Sequence, residues 1–88
     1  MHKVSIVIPG HNEEKNVPLL IERLEKVMRK NKIRGEIILV NDNSTDNTGK
    51  VMEDMKKMYD NIKVIHRKPP KGVGRALKDG FKEVTGDI

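Results

Sequence analysis

Short runs of apolar residues alternate along the chain with longer segments in which apolar residues recur every three or four positions. The four consecutive apolar residues Ile37 to Val40 are too few for a helix, and they predict a strand buried on both faces, as is usual in parallel sheets. Comparable runs predict strands over 3–9 and 62–66. The resulting order β-α-β-α-β-α predicts a single α/β domain over 1–88, a three-layer α/β/α arrangement with a parallel sheet in the strand order 3-2-1.

Helical periodicity predicts three helices, of which the first starts near Asn16 and runs to Lys30. Asn12 or Asn16 is the predicted cap of the first helix, and Ser44 or Asp46 is the predicted cap of the second. The predicted buried stripes are Val17, Leu20, Ile21, Leu24, Val27 and Met28 in the first helix, Val51, Met52, Met55, Met58 and Tyr59 in the second, and Val73, Leu77, Phe81 and Val84 in the third.

The end of the chain has two features that bear on its packing. Gly80 lies inside the third helix, where glycine costs about 1 kcal/mol against alanine, and this indicates close packing on a neighbouring element. Asp87-Ile88 has the pattern of the start of a further strand. A doubly wound sheet continues on the other side of its first strand, so stopping at Ile88 predicts an exposed apolar edge over 4–8. We expect either that the chain is the first half of a larger fold or that it self-associates through this edge.

The amino-acid composition indicates which kinds of molecule the protein is expected to bind. Lysine and arginine exceed aspartate and glutamate by five, which favours anionic partners. Aromatic residues make up only 2% of the chain, and single-stranded nucleic acids are usually bound by stacking on aromatic rings, so no nucleic-acid partner is expected. The absence of cysteine fits a reducing compartment. No apolar run is long enough for a signal peptide or a membrane span.

A polar segment over 41–48 follows the central strand directly and contains no apolar side chain. Ligands of open parallel sheets bind at the carboxyl ends of the strands, so Asp42 is a candidate to accept hydrogen bonds from a ribose hydroxyl or a base N–H. The alternative is that Asp42, Ser44 and Asp46 only close a turn and cap the next helix. The spacing favours capping for Ser44 and Asp46, and it leaves Asp42 open between the two roles.

The first strand ends at Pro9-Gly10, and His11 therefore lies at the same edge of the predicted sheet as the polar segment. Glu13 is either an early-helix carboxylate, stabilised by the helix dipole, or a ligand contact, and the pattern favours the first.

A basic loop precedes the third helix, and its Gly72-Val73-Gly74 run could let backbone N–H groups approach a phosphate. This glycine pattern alone is weak evidence for a phosphate site, because the third glycine of the dinucleotide-binding fingerprint is missing. Lys71 and Arg75 either supply positive charge to a diphosphate or belong to a solvated basic face.

Four blocks of the sequence, taken together, resemble a known family. These blocks are 7–16 (VIPGHNEEKN), 38–48 (ILVNDNSTDNT), 72–76 (GVGRA) with Gly80, and 85–88 (TGDI). In this order they resemble the inverting family 2 glycosyltransferases of GT-A fold, and most of all the polyprenyl-phosphate (dolichol-phosphate) mannose and glucose synthases. The resemblance implies a Rossmann-like nucleotide-binding half that binds a nucleoside-diphosphate sugar at the carboxyl edge of the sheet.

The resemblance also implies roles for single residues. His11 would lie against the base with Pro9 shaping that wall, Glu13 would contact the nucleoside, and Asp42 would hold base or ribose. Asn41 stands where the family has the first acidic residue of its D-D-x-S motif. The whole predicted nucleotide-binding set is Pro9, His11, Glu13, Asp42, Ser44, Lys71 and Arg75.

The metal site, the acceptor site and the catalytic base of the family are expected outside this chain. The family's D-x-D motif, which holds Mg²⁺ or Mn²⁺ against the diphosphate, follows a T-G-D-I sequence on the next strand, so no metal site and no catalytic residue are predicted within 1–88. Neutralising the leaving diphosphate is the main electrostatic task of the transfer, and the chain alone is therefore expected to lack transferase activity. The resemblance further implies a cytoplasmic location, at the inner face of the membrane for a complete enzyme with a lipid acceptor.

Two other functions stay open on the sequence. One is a stand-alone nucleotide-binding or interaction module without catalysis, and the weaker one is a basic nucleic-acid binder.

Overall fold

The computed structural model describes residues 3–69 and 72–86. In chain order the elements are β1 (Lys3–Gly10), α1 (Asn16–Lys30), β2 (Arg34–Asp42), α2 (Thr48–Met58), β3 (Ile62–Arg67) and α3 (Val73–Lys82). The three strands pair in parallel in the order β1-β2-β3. The predicted fold class and strand order are therefore confirmed. The further strand expected over Asp87-Ile88 lies outside the described residues.

The central strand β2 supplies the core of both layers, because successive side chains of a strand point to opposite faces. Ile37 and Leu39 pack on the face covered by α1 and α2, together with the buried Ile21 and Met52. The alternate residues Ile38 and Val40 pack on the other face against Ala76 of α3. The unbroken apolar run in the sequence thus corresponds to a strand buried on both faces, as predicted.

The predicted buried stripes are wrong at several positions, which the structure leaves exposed. These positions are Leu20, Val27, Met58, Val73 and Phe81. In α3 the buried residues are Ala76 and Gly80, whereas the large apolar residues Val73 and Phe81 are exposed. The helix therefore turns its small residues towards the sheet, which allows its backbone to approach closely.

The close packing predicted from Gly80 is confirmed. A Cβ atom at this position would lie less than 3.0 Å from Val7 Cγ1 and 3.1 Å from Val40 Cγ2. The helix backbone at Gly80 therefore packs directly on β1 and β2, and there is no room between them for the methyl group of an alanine.

The ends of α1 differ from the predicted capping. Lys15 is the N-cap residue and makes no side-chain capping bond, and the carbonyl of Glu13 accepts the N–H groups of Asn16 and Val17. At the other end the N–H of Lys32 donates to Arg29 and that of Ile33 to Met28. These two bonds form a Schellman motif, and they place Lys32 in the left-handed region at φ 53°.

At the amino edge of the sheet, the buried carboxylate of Glu36 joins three elements. It lies 3.1 Å from Lys3 Nζ and 3.5 Å from Lys63 Nζ, and it accepts hydrogen bonds from the hydroxyl and N–H of Thr85. Burial by itself raises the pKa of Glu36, but the bonds from Thr85 and the lysines outweigh burial and lower it to about 2. The segment after α3 is thereby held to the sheet through a charged group.

Among the described residues β1 pairs with β2 on one side only. Within residues 3–69 and 72–86, β1 is thus at the edge of the sheet, whereas self-association through that edge stays a prediction. None of the described helices is long and apolar enough to cross a membrane.

Candidate functional site

The carboxyl ends of β1 and β2 lie side by side and carry the predicted site residues. Gly10 is paired with Asn41 in the parallel register, so the next residues, His11 and Asp42, are neighbours. His11 Nδ1 lies 2.8 Å from the backbone oxygen of Asp42. Because a carbonyl oxygen only accepts, Nδ1 donates the hydrogen, and in the neutral ring Nε2 then carries the lone pair. The site therefore presents one fixed imidazole tautomer.

A second group of hydrogen bonds joins the turn after β1 to the polar segment after β2. The backbone N–H of Asn12 donates to Ser44 Oγ at 3.1 Å, and Asn12 Oδ1 accepts the N–H of Thr45 at 2.8 Å. The N–H of Glu13 donates to Thr48 Oγ1 at 2.8 Å. Asn12 lies at φ 55°, a conformation that asparagine tolerates better than most residues. The two turns are thus held together by side chains.

Ser44 and Asp46 have different roles in this segment. Asp46 Oδ1 accepts the N–H of Thr48, the first residue of α2, at 2.9 Å. The N-cap residue of α2 is Asn47, which makes no side-chain capping bond, so the prediction that Ser44 or Asp46 is the N-cap is wrong, although Asp46 does bind the first N–H of the helix. The hydrogen bond from the Thr48 hydroxyl contributes most to holding the pKa of Asp46 below its usual value. Ser44 Oγ instead accepts from Asn12, and it does not cap α2.

Asp42 is buried and has three donors around its carboxylate. Oδ1 accepts from Arg67 Nη1 and from Asn43 Nδ2, and Oδ2 accepts the backbone N–H of Gly72 at 2.8 Å. Burial would raise the pKa of the Asp42 carboxyl, but these hydrogen bonds and the charge of Arg67 outweigh it and hold the pKa below its usual value. Asp42 therefore holds Gly72, the N-cap residue of α3.

Arg67 is a residue that the sequence reasoning missed, since the pattern predicts it as the first residue of a basic loop over 67–74. Its side chain is only 7% exposed, and its Nε donates to Asp79 Oδ2 at 2.8 Å. The signal was present in the strand register, because pairing Ile37 with Ile62 aligns Asp42 with Arg67 at the ends of β2 and β3.

Asn41 begins a chain of hydrogen bonds that leads away from the edge. Asn41 Oδ1 accepts the N–H of Ser44, which orients the amide, and Nδ2 lies 3.1 Å from His66 Nδ1. His66 Nε2 lies 2.8 Å from Glu53 Oε2 on α2. Because Nδ2 can only donate, His66 accepts at Nδ1 and donates at Nε2 to the carboxylate. His66 is half exposed and carries this bond.

Two of the groups predicted to face a phosphate, the Gly72 N–H and Arg75, lie at or near the start of α3. The N–H of Gly72 is donated to Asp42, so this N–H is not directed at a phosphate in the structure. Arg75 is exposed on α3. Lys71 lies outside the described residues.

Pro9 and Glu13 line a cleft of about 160 Å³ beside the carboxyl end of β1. Its remaining lining residues are Ile8, Gly10, Asn16, Val17 and Leu20. Glu13 Oε2 accepts a bond from Asn16 Nδ2 at 2.7 Å. The cleft joins mainly apolar walls to one carboxylate, next to His11.

Within residues 3–69 and 72–86, no three histidine, aspartate or glutamate side chains come together in a group that could hold a metal ion.

Comparisons with known proteins identify the family and the fold. The model of the family described as glycosyl transferase family 2 matches residues 5–88. The chain is 43% identical over 98% of its length to a probable glycosyltransferase, YdaM, of Bacillus subtilis, and 36% identical over 98% to the dolichol-phosphate mannosyltransferase of Pyrococcus furiosus. It is 37% identical over its full length to an undecaprenyl-phosphate 4-deoxy-4-formamido-L-arabinose transferase of Proteus mirabilis.

The chain spans only part of these relatives, namely 21%, 24% and 27% of their lengths. Among solved structures, it is similar to the mannosyltransferase PcManGT of Pyrobaculum calidifontis, which was solved in complex with GDP-Man and Mn²⁺. That likeness has a TM-score of 0.72 at 22% identity and covers 96% of this chain and 25% of the other. At this identity the likeness establishes the fold.

Proposed function

Because the chain belongs to glycosyltransferase family 2, we propose that it forms the nucleotide-sugar-binding part of an enzyme that transfers a hexose from a nucleoside-diphosphate sugar, with inversion, to an acceptor such as polyprenyl phosphate. The observation that carries the proposal is the juxtaposition of His11 and Asp42 at the carboxyl edge of β1 and β2. Two of the relatives are named for transfer to dolichol phosphate or undecaprenyl phosphate, and the similar solved structure holds GDP-Man.

The base is proposed to lie against the His11 ring, with Pro9 and the 160 Å³ cleft forming one wall. Glu13 provides a carboxylate at this wall for donors on the nucleoside. Asp42 accepts one donor, from base or ribose, at the position on Oδ2 that Gly72 leaves open, since a carboxylate offers about four acceptor positions.

The diphosphate is proposed to lie towards the start of α3. Arg75 is exposed there, Lys71 belongs to the same loop, and the positive end of the helix dipole favours an anion. Ser44 lies beside the turn after β1, where its hydroxyl oxygen accepts the N–H of Asn12, and its own hydrogen is proposed to be donated to a ligand oxygen.

The metal of a GT-A transferase, Mg²⁺ or Mn²⁺, is proposed to be bound in the complete enzyme by residues other than those described here, which do not form a metal site. Without that charge the leaving diphosphate is poorly neutralised, so we expect the 88-residue chain to bind nucleotide without transferring sugar. Sugar transfer by the purified chain would contradict this part of the proposal.

The test is a titration of the chain with GDP and with UDP, followed by ¹H–¹⁵N chemical shifts. We expect saturable shifts centred on His11, Glu13 and Asp42 and, for His11→Ala, a dissociation constant raised about tenfold or more, equivalent to about 1.4 kcal/mol.

A matched pair of variants tests the role of charge. Arg75→Ala and Lys30→Ala each remove one positive charge from an exposed helical residue, but Lys30 lies at the far end of α1. Only Arg75→Ala should weaken binding. Absence of saturable shifts with either nucleotide, or salt-sensitive binding to duplex DNA alone, would overturn the proposal.

A further inference from the structure

We propose that Arg67 is a positioning residue of the nucleoside site, which orients the Asp42 carboxylate and, through it, Gly72 at the start of α3. This inference rests on the proposed function, because Asp42 is taken as the ligand contact and Arg67 as the group behind it.

The contacts of Arg67 form a buried bridge between two carboxylates. The side chains of Arg67 and Asp42 are 7% and 6% exposed. Nη1 donates to Asp42 Oδ1, and Nε donates to Asp79 Oδ2 at 2.8 Å. One guanidinium fork therefore joins the end of β2 to the middle of α3, a geometry that a single ammonium group cannot reproduce.

The same contacts determine which acceptor position of Asp42 faces a ligand. Oδ1 accepts hydrogen bonds from Arg67 and from Asn43, whose Nδ2 lies 3.2 Å away. Oδ2 accepts one hydrogen bond, from the N–H of Gly72. The remaining position on Oδ2 is the one assigned to the nucleoside. Rotation of the carboxylate would move this acceptor position, and the hydrogen bond from Arg67 Nη1 resists that rotation.

Charge is the second consequence of the bridge. Within the part of the chain that the structure describes, the charged or titratable groups linked to Asp42 are Arg67 of β3, which also binds Asp79 of α3, and His11 of the turn after β1, which contacts the backbone oxygen of Asp42. Burial raises the pKa of Asp42, and Arg67 is one of the groups that keep it low. Without Arg67 the carboxylate would be protonated at higher pH, and its acceptor position would be lost there.

The decisive comparison is Arg67→Met against Asp79→Asn in the 88-residue chain. Methionine keeps an apolar stem but removes the charge and the fork, whereas asparagine keeps an oxygen that can accept from Arg67 Nε. We expect Arg67→Met to raise the dissociation constant for GDP or UDP at least tenfold at pH 7, and more as the pH falls towards 5. Asp79→Asn should stay within about twofold of the unmodified chain over the same range.

A ligand-free measurement separates this inference from the proposed function. The amide proton of Gly72 and the carboxyl carbon of Asp42 report the ionisation of Asp42 directly by NMR. Both should titrate at higher pH in Arg67→Met than in the unmodified chain, whether or not a nucleotide binds. Should no nucleotide bind the unmodified chain while this titration moves, the proposed function fails and the positioning of Asp42 stands.

Two results would overturn the inference. One is an unchanged titration of the Asp42 carboxyl in Arg67→Met. The other is an equal loss of affinity in both variants with the same pH profile, which would indicate a merely structural role. Arg67→Lys covers the case in which methionine prevents folding. It keeps the charge but lacks the fork, so it should shift the Gly72 amide resonance and weaken nucleotide binding partly, and a lysine variant identical to the unmodified chain would refute the role of the fork.

Discussion

Gly80→Ala tests how closely α3 lies against the sheet. Alanine is the better helix former by about 1 kcal/mol, so propensity alone predicts that this substitution stabilises the protein. The structure predicts the opposite. The new methyl group would lie less than 3.0 Å from Val7 Cγ1 and 3.1 Å from Val40 Cγ2, and both neighbours are β-branched side chains with little freedom to rotate away.

The magnitude follows from two opposing terms. Adding a methyl group to a well-packed contact typically costs about 1–3 kcal/mol. The short distance to Val7 indicates the upper part of that range, and the gain in propensity offsets about 1 kcal/mol of it. We therefore expect Gly80→Ala to lower the free energy of unfolding by about 1–2 kcal/mol. For a domain of this size, that corresponds to a fall in Tm of roughly 5–15 °C.

Gly74→Ala is the matched control, since Gly74 lies in the same helix and a Cβ atom there meets no atom within 4 Å. It should be neutral or stabilising by up to about 1 kcal/mol. Urea denaturation followed by circular dichroism measures both variants. The reasoning is refuted if Gly80→Ala is as stable as Gly74→Ala.

A double-mutant cycle identifies the contact responsible. Val7→Ala removes the nearer methyl group, so Gly80→Ala should be less destabilising in that background by about 1 kcal/mol. Additivity of the two changes within about 0.5 kcal/mol would mean that Val7 is not the obstacle.

Two further predictions concern single residues. Lys32→Gly should raise the free energy of unfolding by about 1 kcal/mol in urea denaturation, because Lys32 lies at φ 53° in the Schellman motif and glycine adopts that conformation freely; a loss of stability would contradict this. Glu36 has a folded pKa of about 2 against an ordinary 4.5, so its contribution, on the order of 3 kcal/mol at most, is present above pH 4.5 and lost as the pH falls towards 2. Glu36→Gln should be less stable at pH 7 and show a flatter loss between pH 4.5 and 2, and equal acid dependence of the two chains would exclude this role.

The sequence predicts the elements of this fold well, because each depends on local periodicity. The helix α1 begins at Asn16 and ends at Lys30 as expected. The strands β1 and β3 each extend one residue beyond their predicted ranges, and β2 begins three residues before and ends two residues after the predicted run over 37–40. The predictions fail where burial depends on the distance between layers. Phe81 and Val73 are exposed because Ala76 and Gly80 turn towards the sheet, and a scale of hydrophobicity ranks these residues in the opposite order.

The candidate site shows the same division. The meeting of His11 and Asp42 follows from the parallel arrangement, since both residues come after strand ends. The burial of Arg67 could not be predicted from its neighbours in sequence, which form a basic loop. It depends on the register of β3 and on Asp79, a carboxylate twelve residues away that only the folded helix brings near.

The position of α3 depends on charged groups more than on apolar contact. Two carboxylates of β2 hold it, one at each edge of the sheet: Glu36 binds Thr85 after the helix, and Asp42 binds Gly72 before it. Between these ties the helix buries only Ala76 and Gly80. The Asp42 carboxylate that binds Gly72 is also the proposed nucleoside contact. A ligand that donates a hydrogen bond to this carboxylate would therefore act on the same group that positions the start of α3. The helix that carries Arg75 would then be coupled to the nucleoside, and recognition of the base and of the diphosphate would depend on one buried carboxylate.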